Sequence, residues 1–349
     1  MEPIRNQLIK EQMKIVRGRR LAISLLWAGL GILLVFGVFA ILTTDIIGVG
    51  EEGVGSLFMT GIPRHEQVVP TVGRDGSPVV IPENIERIIT IAPSNTEIVS
   101  AIGFGYMIVA ADIHSASVEG ISAGLFLFDE TDIDAEVLAA LDPDIVFAPY
   151  SLLTNGENPL AALSEMGVAV LYIPHSESID EIIDDIMFVA AALSAWNAGD
   201  LVVRDLRRLF EFMGGIPAHV DMGFTSLPGR VYFETGAEPS KTSVGSGTFL
   251  NEFIEMAGAS NIFSGEQGRI YVTNEQVLYA NPDVIITSAS YAADPIGEIK
   301  SRPGWNNLSA VQNNRVYVID ADVINRSSQS IVYALHEIMA ILHPNFFDD

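Results

Sequence analysis

The 349-residue sequence contains no cysteine, and this absence excludes several kinds of chemistry. Disulfides, thiolate metal sites, cysteine nucleophiles and lipid attachment at an N-terminal cysteine all require a thiol. Basic residues are also scarce, because 19 Lys and Arg stand against 44 Asp and Glu, giving a formal net charge of −25. Since the phosphates of nucleic acids bind to basic surfaces, we predict no nucleic-acid partner.

Short motifs of the common catalytic classes are absent as well. The sequence has no G-x-S-x-G nucleophile elbow, no P-loop and no H-E-x-x-H zinc motif. Val244–Gly247 contains only part of a phosphate-binding glycine pattern, and such a fragment is typical of a tight turn. We therefore predict that the protein is not an enzyme.

A long uncharged run near the N-terminus predicts a membrane anchor. Leu21–Leu42 contains no charged residue, and at 1.5 Å per residue such a helix is about 33 Å long, enough to cross a bilayer. Residues 1–20 carry six basic and two acidic side chains, so the positive-inside rule places this tail in the cytoplasm. A cleaved signal peptide is the alternative, but the run exceeds the usual length of roughly 7–15 apolar residues. We predict a single-pass protein of the cell membrane with an extracytoplasmic binding domain.

Composition divides the remainder of the chain into a tether and two lobes. Residues 43–84 are rich in glycine, proline and polar residues, which predicts a tether ending in a small hairpin around Arg74–Ser77. Beyond it, short β-branched runs alternate with helical patterns, as is typical of parallel α/β sheets. We place an N-terminal lobe at 85–195, a linker helix and loop at 196–228, and a C-terminal lobe at 229–349.

A weak internal repeat supports two similar lobes. Glu136–Pro149 and Glu275–Ala289 each contain a glutamate, a short helical pattern, a Pro-Asp pair and a β-branched strand. Because proline ends a helix before itself and restricts the preceding residue, both stretches predict a junction between a helix and a buried strand.

One amphipathic stretch predicts the connection between the lobes. Apolar residues of Asn197–Met213 recur on one face, with Arg204 and Arg208 on the other, and Gly214-Gly215 is expected to end this helix. The predicted class is α/β, with two Rossmann-like lobes with parallel sheets joined by a single long α-helix and preceded by one transmembrane helix. Because a helix bends less readily than extended strands, closure around a ligand should be small.

The stretch Arg87–Gly105 predicts where a ligand binds. Ile88–Ile91 is a β-branched run, the chain then breaks at Pro93, and apolar residues at helical spacing follow Thr96. In open α/β sheets, ligands bind outside the carboxyl ends of the strands. We therefore expect this loop and its counterparts after the other strands to form the site.

Seven segments of the chain carry a resemblance to a known family: 87–103, 138–149, 166–174, 244–263, 277–288, 302–320 and 335–344. In their order and spacing they resemble the substrate-binding proteins of ABC importers for iron-siderophore, haem and vitamin B12 uptake. The resemblance implies a protein that captures a small-molecule metal chelate between its lobes and delivers it to a permease dimer, with no cofactor of its own. Asn325–Gln329 stands where many members have Arg-Pro-Gly-Pro-Arg, and only Arg326 matches.

Candidate ligand-binding residues lie in the predicted loops at the cleft. Tyr150 and Tyr291 follow equivalent strands of the repeat and could supply the aromatic walls that a bulky chelate needs. Lys241 and Arg326 could pair with carboxylates of the ligand. The full set is Ser94, Asn95, His114, Tyr150, His175, Lys241, Thr242, Tyr291 and Arg326.

The resemblance also implies that Glu97 and Glu252 dock on arginines of the permease, although both positions suit an ordinary role at a helix N-terminus. Two other functions remain open. A receptor for bare zinc or manganese would need three or four converging ligands, and only His114 and His175 lie on suitable loops. A membrane-tethered ligand sensor could use the same fold, because fold does not determine function.

Overall fold

The computed structural model describes residues 68–344, apart from residues 155, 157, 221–228, 238 and 290–292. These residues belong to one compact unit that spans residues 66–349. The predicted membrane helix, Leu21–Leu42, lies outside the described residues, as do the basic tail and most of the tether. Among the helices that are described, none combines the length and apolarity needed to span a bilayer.

The N-terminal lobe is built on a five-stranded sheet. Its strands are β1 (Ile88–Thr90), β2 (Ile108–Asp112), β3 (Phe126–Phe128), β4 (Ile145–Pro149) and β5 (Ala169–Ile173). They are all parallel and lie in the order β3-β2-β1-β4-β5. Apolar residues fill β1 and β4, where Ile89 and Val146 are fully buried, as expected of a parallel sheet covered on both faces.

Helices follow these strands in the predicted alternation, so the α/β class is confirmed. The helices of this lobe are α1 (Pro93–Ala101), α2 (Ala135–Ala139), α3 (Ser151–Thr154), α4 (Ala161–Glu165) and α5 (Ile179–Ala192). A capping box begins α5, in which Ser178 accepts from the Glu181 backbone amide and the Glu181 carboxylate accepts from that of Ser178. This cap satisfies amides that the first helical turn leaves without partners.

The C-terminal lobe differs from the prediction, because its sheet is mixed rather than parallel. Strands β6 (Arg230–Gly236), β10 (Val284–Thr287) and β11 (Val316–Val318) run parallel, whereas β7 (Thr242–Val244) and β9 (Arg269–Tyr271) pair antiparallel. The order is β11-β10-β6-β7-β9, with the two-residue strand β8 (Ser260–Asn261) pairing with β6. The sequence patterns missed β7 and β9 because a three-residue strand shows almost no alternation. The helices are α7 (Phe249–Met256), α8 (Asn274–Ala280), α9 (Pro295–Ser301), α10 (Ser309–Gln312), α11 (Ala321–Ile324) and α12 (Val332–Leu342).

A single helix of 25 residues, α6 (Trp196–Val220), connects the lobes. The expectation that Gly214-Gly215 ends it is wrong, because the helix runs on to Val220. Glycine ends a helix when it adopts the left-handed conformation, and neither Gly214 nor Gly215 has a positive φ. Glycine therefore weakens this part of α6 without terminating it.

The two lobes share one apolar core. Buried side chains of both sheets pack into the same cluster around α5, α6, α7 and α12, including Ile88, Ile186, Leu206, Val231, Phe253 and Leu335. Each lobe has a further cluster on the outer face of its sheet. Parting the lobes would expose the shared surface to water, which is unfavourable, so this core favours the small closure expected from a helical linker.

Candidate functional site

The loop after β1 is fixed by backbone geometry and by one amide side chain. Ala92 has a φ of 77°, a conformation that is uncommon for a residue with a Cβ, and Pro93 begins α1 directly after it. Asn95 is buried, and its Nδ2 donates to the Ile91 carbonyl at 2.8 Å. Ser94 is half-buried beside it. Asn95 therefore shapes the predicted loop from within, and Ser94 offers the more accessible hydroxyl.

A buried polar chain links this loop to the one after β2. Thr90 and Thr96 share a hydrogen bond of 2.7 Å, Thr96 donates to Ser115 at 2.9 Å, and Ser115 donates to Asp112 at 2.5 Å. All four residues are fully buried. Because such a network is costly when a member is unpaired, it holds the two loops in one arrangement. The neighbouring candidate, His114, is exposed, and its backbone amide donates to Asp112 at 2.9 Å.

Tyr150 and His175 lie after the neighbouring strands β4 and β5. Tyr150 is 39% exposed, and its backbone amide donates to the Ile173 carbonyl at 2.9 Å. Arg269 Nη2 lies 3.0 Å from Nε2 of His175, and since arginine can only donate, this nitrogen accepts. Desolvation and the charge of Arg269 lower the pKa of His175. His175 is therefore a neutral acceptor that contacts the C-terminal lobe.

The predicted contacts of the C-terminal lobe are only partly described. Thr242 is half-buried at the start of β7, where its hydroxyl lies 3.0 Å from that of Thr235. Lys241 is buried before it, rather than exposed in a loop. Tyr291, the repeat partner of Tyr150, lies outside the described residues.

Glu97 and Arg326, predicted for two different partners, form an ion pair with each other. The Ser328 hydroxyl donates to the second carboxylate oxygen of Glu97, and Gln329 Nε2 donates to its backbone carbonyl at 3.1 Å. Glu97 is only 7% exposed. The structure thus places this carboxylate inside the junction of the lobes rather than on an open surface.

Glu252, the other predicted docking residue, also lies at the junction. It is half-buried on α7, burial raises its pKa, and its carboxylate accepts a hydrogen bond from the backbone amide of Ile179 at the start of α5. Nearby, the Phe249 amide donates to the Glu177 carbonyl at 2.6 Å, and Arg269 Nε lies 3.3 Å from a Glu177 carboxylate oxygen. The segment before α5 is therefore bonded to the C-terminal lobe at several points.

A buried carboxylate on α5 connects the tether to this junction. Asp185 is fully buried, lies 2.8 Å from Arg74 Nε, and accepts a hydrogen bond from Ser176. Burial raises the pKa of Asp185 to about 6, against the lowering effects of Ser176 and Arg74. Arg74 lies in a turn closed by a bridge between Val72 and Pro78, at the predicted hairpin. The sequence offered no signal for its partner, 111 positions away.

Sequence reasoning also missed a buried charged cluster in the C-terminal lobe. Arg302 donates to both oxygens of Glu234, at 2.6 and 3.0 Å, and to Glu298 at 2.6 and 2.9 Å. Its guanidinium lies 4.5 Å from the centroid of the Trp305 ring. Within the part of the chain that the structure describes, no three His, Asp or Glu side chains are grouped as a metal site.

The fold and this junction define a two-lobed α/β binding protein with a helical connection. A profile of the periplasmic binding protein family matches residues 88–323. This chain belongs to the periplasmic binding protein family, which confirms the resemblance inferred from the sequence.

Similar proteins cover most of the chain. YvrC of Bacillus subtilis, named an uncharacterized ABC transporter substrate-binding lipoprotein, is 26% identical over 295 residues, which cover 82% of this chain and 90% of YvrC. The vitamin B12-binding protein of Vibrio cholerae is 29% identical over 259 residues, or 74% and 89% of the two chains. The crystal structure of a possible iron-binding, periplasmic solute-binding protein from Staphylococcus epidermidis gives a TM-score of 0.69 at 26% identity, covering 75% of this chain and all of that one. These relatives are named as binding proteins, not as enzymes.

Proposed function

We propose that this protein is the extracytoplasmic substrate-binding component of an ABC importer. The observation that carries the proposal is the match to the periplasmic binding protein family over both lobes. The relative from Bacillus subtilis, named as an ABC transporter substrate-binding protein, supports the same role. The cargo binds between the lobes and passes to a permease dimer in the membrane.

The proposed cargo is a metal chelate, either an iron complex such as a ferric siderophore or haem, or cobalamin. The named ligand of the Vibrio cholerae relative supports cobalamin, and the name of the Staphylococcus epidermidis structure supports iron. The proposed contacts are the predicted set, with Tyr150 as an aromatic wall and Arg326 as the anion contact. Asn95 acts by shaping the loop around them.

For delivery, the family resemblance implies Glu97 and Glu252 as permease contacts, of which we propose Glu252, because Glu97 is held inside the junction of the lobes. The internal repeat offers a second pair, because Glu136 and Glu275 occupy equivalent positions in the first turns of α2 and α8 and are both exposed. Exposed carboxylates at equivalent positions of two lobes suit a dimeric partner, whose two subunits present the same surface twice. Uptake measurements distinguish the pairs, as described in the Discussion.

The same proposal places the domain outside the cell membrane, held there by Leu21–Leu42. In this proposal Leu21–Leu42 takes the place of the lipid attachment that the name of YvrC implies for that relative. Protease treatment of intact cells tests this placement, since an extracytoplasmic domain is digested while residues 1–20 are protected.

The cargo is identified by visible absorption, because ferric siderophores, haem and cobalamin are all coloured. The full-length chain in detergent is mixed in turn with a ferric siderophore, haemin and cyanocobalamin, desalted, and its spectrum recorded. A shifted band retained at one-to-one stoichiometry supports the proposal and names the cargo. If no chelate is retained and zinc or manganese raises the melting temperature instead, a bare-metal receptor replaces it. If neither result is obtained, the proposed importer function gives way to that of a membrane-tethered ligand sensor.

The site is then tested with Tyr150→Ala, which removes the aromatic wall and should weaken binding about tenfold. Tyr279→Ala is the matched control, because that ring is 94% exposed on α8. Equal affinities of the two variants would move the site away from the loop after β4.

A further inference from the structure

One residue of the N-terminal lobe receives three hydrogen bonds from the C-terminal lobe. The two carboxylate oxygens of Glu97 accept from Arg326 and Ser328, and its backbone carbonyl accepts from Gln329. All three donors lie on the short segment between α11 and α12. No other pair of segments described above joins the lobes through both oxygens of one carboxylate.

The donors are themselves held in place locally. The Ser328 backbone amide donates to the Arg326 carbonyl at 2.9 Å, and the Ser330 amide donates to the Ser328 hydroxyl at 3.1 Å. The Ser328 hydroxyl therefore accepts a hydrogen bond from its own segment while it donates to Glu97. Such an arrangement fixes the direction of the hydroxyl proton, so the segment presents ready-made donors to Glu97 of α1.

Among the residues that the structure describes, the guanidinium of Arg326 bonds only to Glu97, which leaves its other donors available for a ligand. Glu97 engages one end nitrogen, while the side chain remains 26% exposed. Arginine carries five N–H donors in a planar fork, so holding one nitrogen fixes the directions of the others. A second glutamate lies beside α1 without a bond to this guanidinium, because the backbone carbonyl of Glu119 accepts a hydrogen bond from the Ser100 hydroxyl at 2.5 Å.

We infer that Glu97 is a positioning residue, which clasps the two lobes together and aims the remaining donors of Arg326 at an anionic group of the cargo. The chemical class of that group is a carboxylate or a phosphate, since both match the fork of a guanidinium. The part concerning the cargo rests on the proposed function, whereas the clasp between the lobes does not.

The clasp is tested by amide hydrogen exchange on the full-length chain. Glu97→Gln keeps the size of the side chain but removes its charge, so amides of 93–101 and 326–331 should exchange about tenfold faster, because a charge-assisted bond becomes a neutral one. Glu119→Gln removes a charge from the same neighbourhood without a bond to Arg326, and should leave these amides unchanged. Ser328→Ala, which keeps the ion pair, should give a smaller increase. Unchanged exchange in both Glu97→Gln and Ser328→Ala would overturn the clasp.

The positioning role is tested by a double-mutant cycle on affinity for haemin, which carries two carboxylates. Glu97→Gln should weaken binding about tenfold in the presence of Arg326 and have no effect in the Arg326→Gln background, because it acts through that guanidinium. Equal losses in both backgrounds would overturn the positioning role. If wild-type protein binds cyanocobalamin instead, the same cycle is run with that phosphate-containing chelate. If it binds no chelate, the cargo part fails with the proposed function, and hydrogen exchange still decides the clasp.

Discussion

The guanidinium of Arg302 and the carboxylate of Glu234 form a two-point ion pair inside the C-terminal lobe, where the Arg302 side chain is 4% and that of Glu234 1% exposed. The Tyr232 hydroxyl also donates to Glu234, at 3.1 Å, and Thr287 at 3.3 Å. The pair connects α9 to the central strand β6. Both charges are desolvated. Removing either residue therefore leaves the other charge buried without its partner, which strongly destabilises the folded protein.

Arg302→Met is therefore expected to lower the free energy of unfolding by about 3 kcal/mol, because it leaves Glu234 charged and buried. Urea unfolding at neutral pH measures the loss. Arg208→Met is the matched control, since Arg208 pairs with Asp205 on the surface and its loss should cost at most about 0.5 kcal/mol. A similar loss in both variants would show that the buried pair has no special role.

The elevated pKa of Asp185 predicts a pH dependence of stability. Its folded value of about 6 lies above the ordinary value of 3.8, so the folded protein binds this proton more tightly than the unfolded chain. The destabilising contribution of Asp185 is therefore complete above pH 6 and disappears as the pH falls towards 4. Relative to Asp185→Asn, the wild type should gain about 2 kcal/mol of unfolding free energy when the pH falls from 7 to 4.

Unfolding of both proteins at a series of pH values measures this difference, and the other carboxylates cancel because both proteins contain them. Asp184→Asn is the control, because Asp184 is exposed on the same helix and should show no such trend. A constant difference between wild type and Asp185→Asn over this range would contradict the prediction.

The ring of Phe253 holds the linker helix α6 against the C-terminal lobe, so its removal should lower the stability of the protein. This ring is fully buried, with centroids 5.8 Å from Phe210 on α6 and 5.9 Å from Phe249. Phe253→Ala should lower the free energy of unfolding by about 4 kcal/mol, because it removes buried apolar area and leaves a cavity. Tyr279→Ala, on the exposed face of α8, should change it by less than about 0.5 kcal/mol. A loss near that of the control would mean that this contact contributes little to the shared core.

If Glu252 docks on the permease, replacing it should lower uptake of the cargo without changing the affinity for the cargo. Glu252→Ala should lower uptake of the cargo in cells several-fold while leaving the affinity of the purified protein unchanged, because an interface charge acts on association with the partner. The double variant Glu136→Ala/Glu275→Ala is measured in parallel. If only that double variant loses uptake, docking belongs to the repeat pair. If uptake and affinity fall together in Glu252→Ala, its role is structural, through the Ile179 amide.

The local pattern of apolar and polar residues was enough to predict most of the fold. The β-branched runs of β1 and β4 lie where they were expected, because a strand buried on both faces needs apolar residues at every position. The linker helix was also predicted, from its amphipathic period. The mixed sheet was not, because the direction in which the three-residue strands β7 and β9 pair depends on neighbours distant in sequence.

In the candidate site, too, local features could be predicted from the sequence and contacts between distant residues could not. Asn95 was identified from the loop that contains it and Glu97 from the family resemblance, but their partners were not identified, because side-chain pairing depends on the packing of elements. Nothing in the sequence indicated that Arg74 and Asp185 would form a pair. Each is an ordinary charged residue in its own segment.

The sequence by itself determined the alternation of strands and helices and the long connecting helix, since each follows from a period or composition within a few dozen residues. Only the tertiary structure decided that Glu97 and Arg326, 229 positions apart, form one ion pair, and that Arg302 satisfies Glu234. The physical reason is that a buried charge is stable only with a partner, and which partner it meets depends on how the two lobes pack around their shared core.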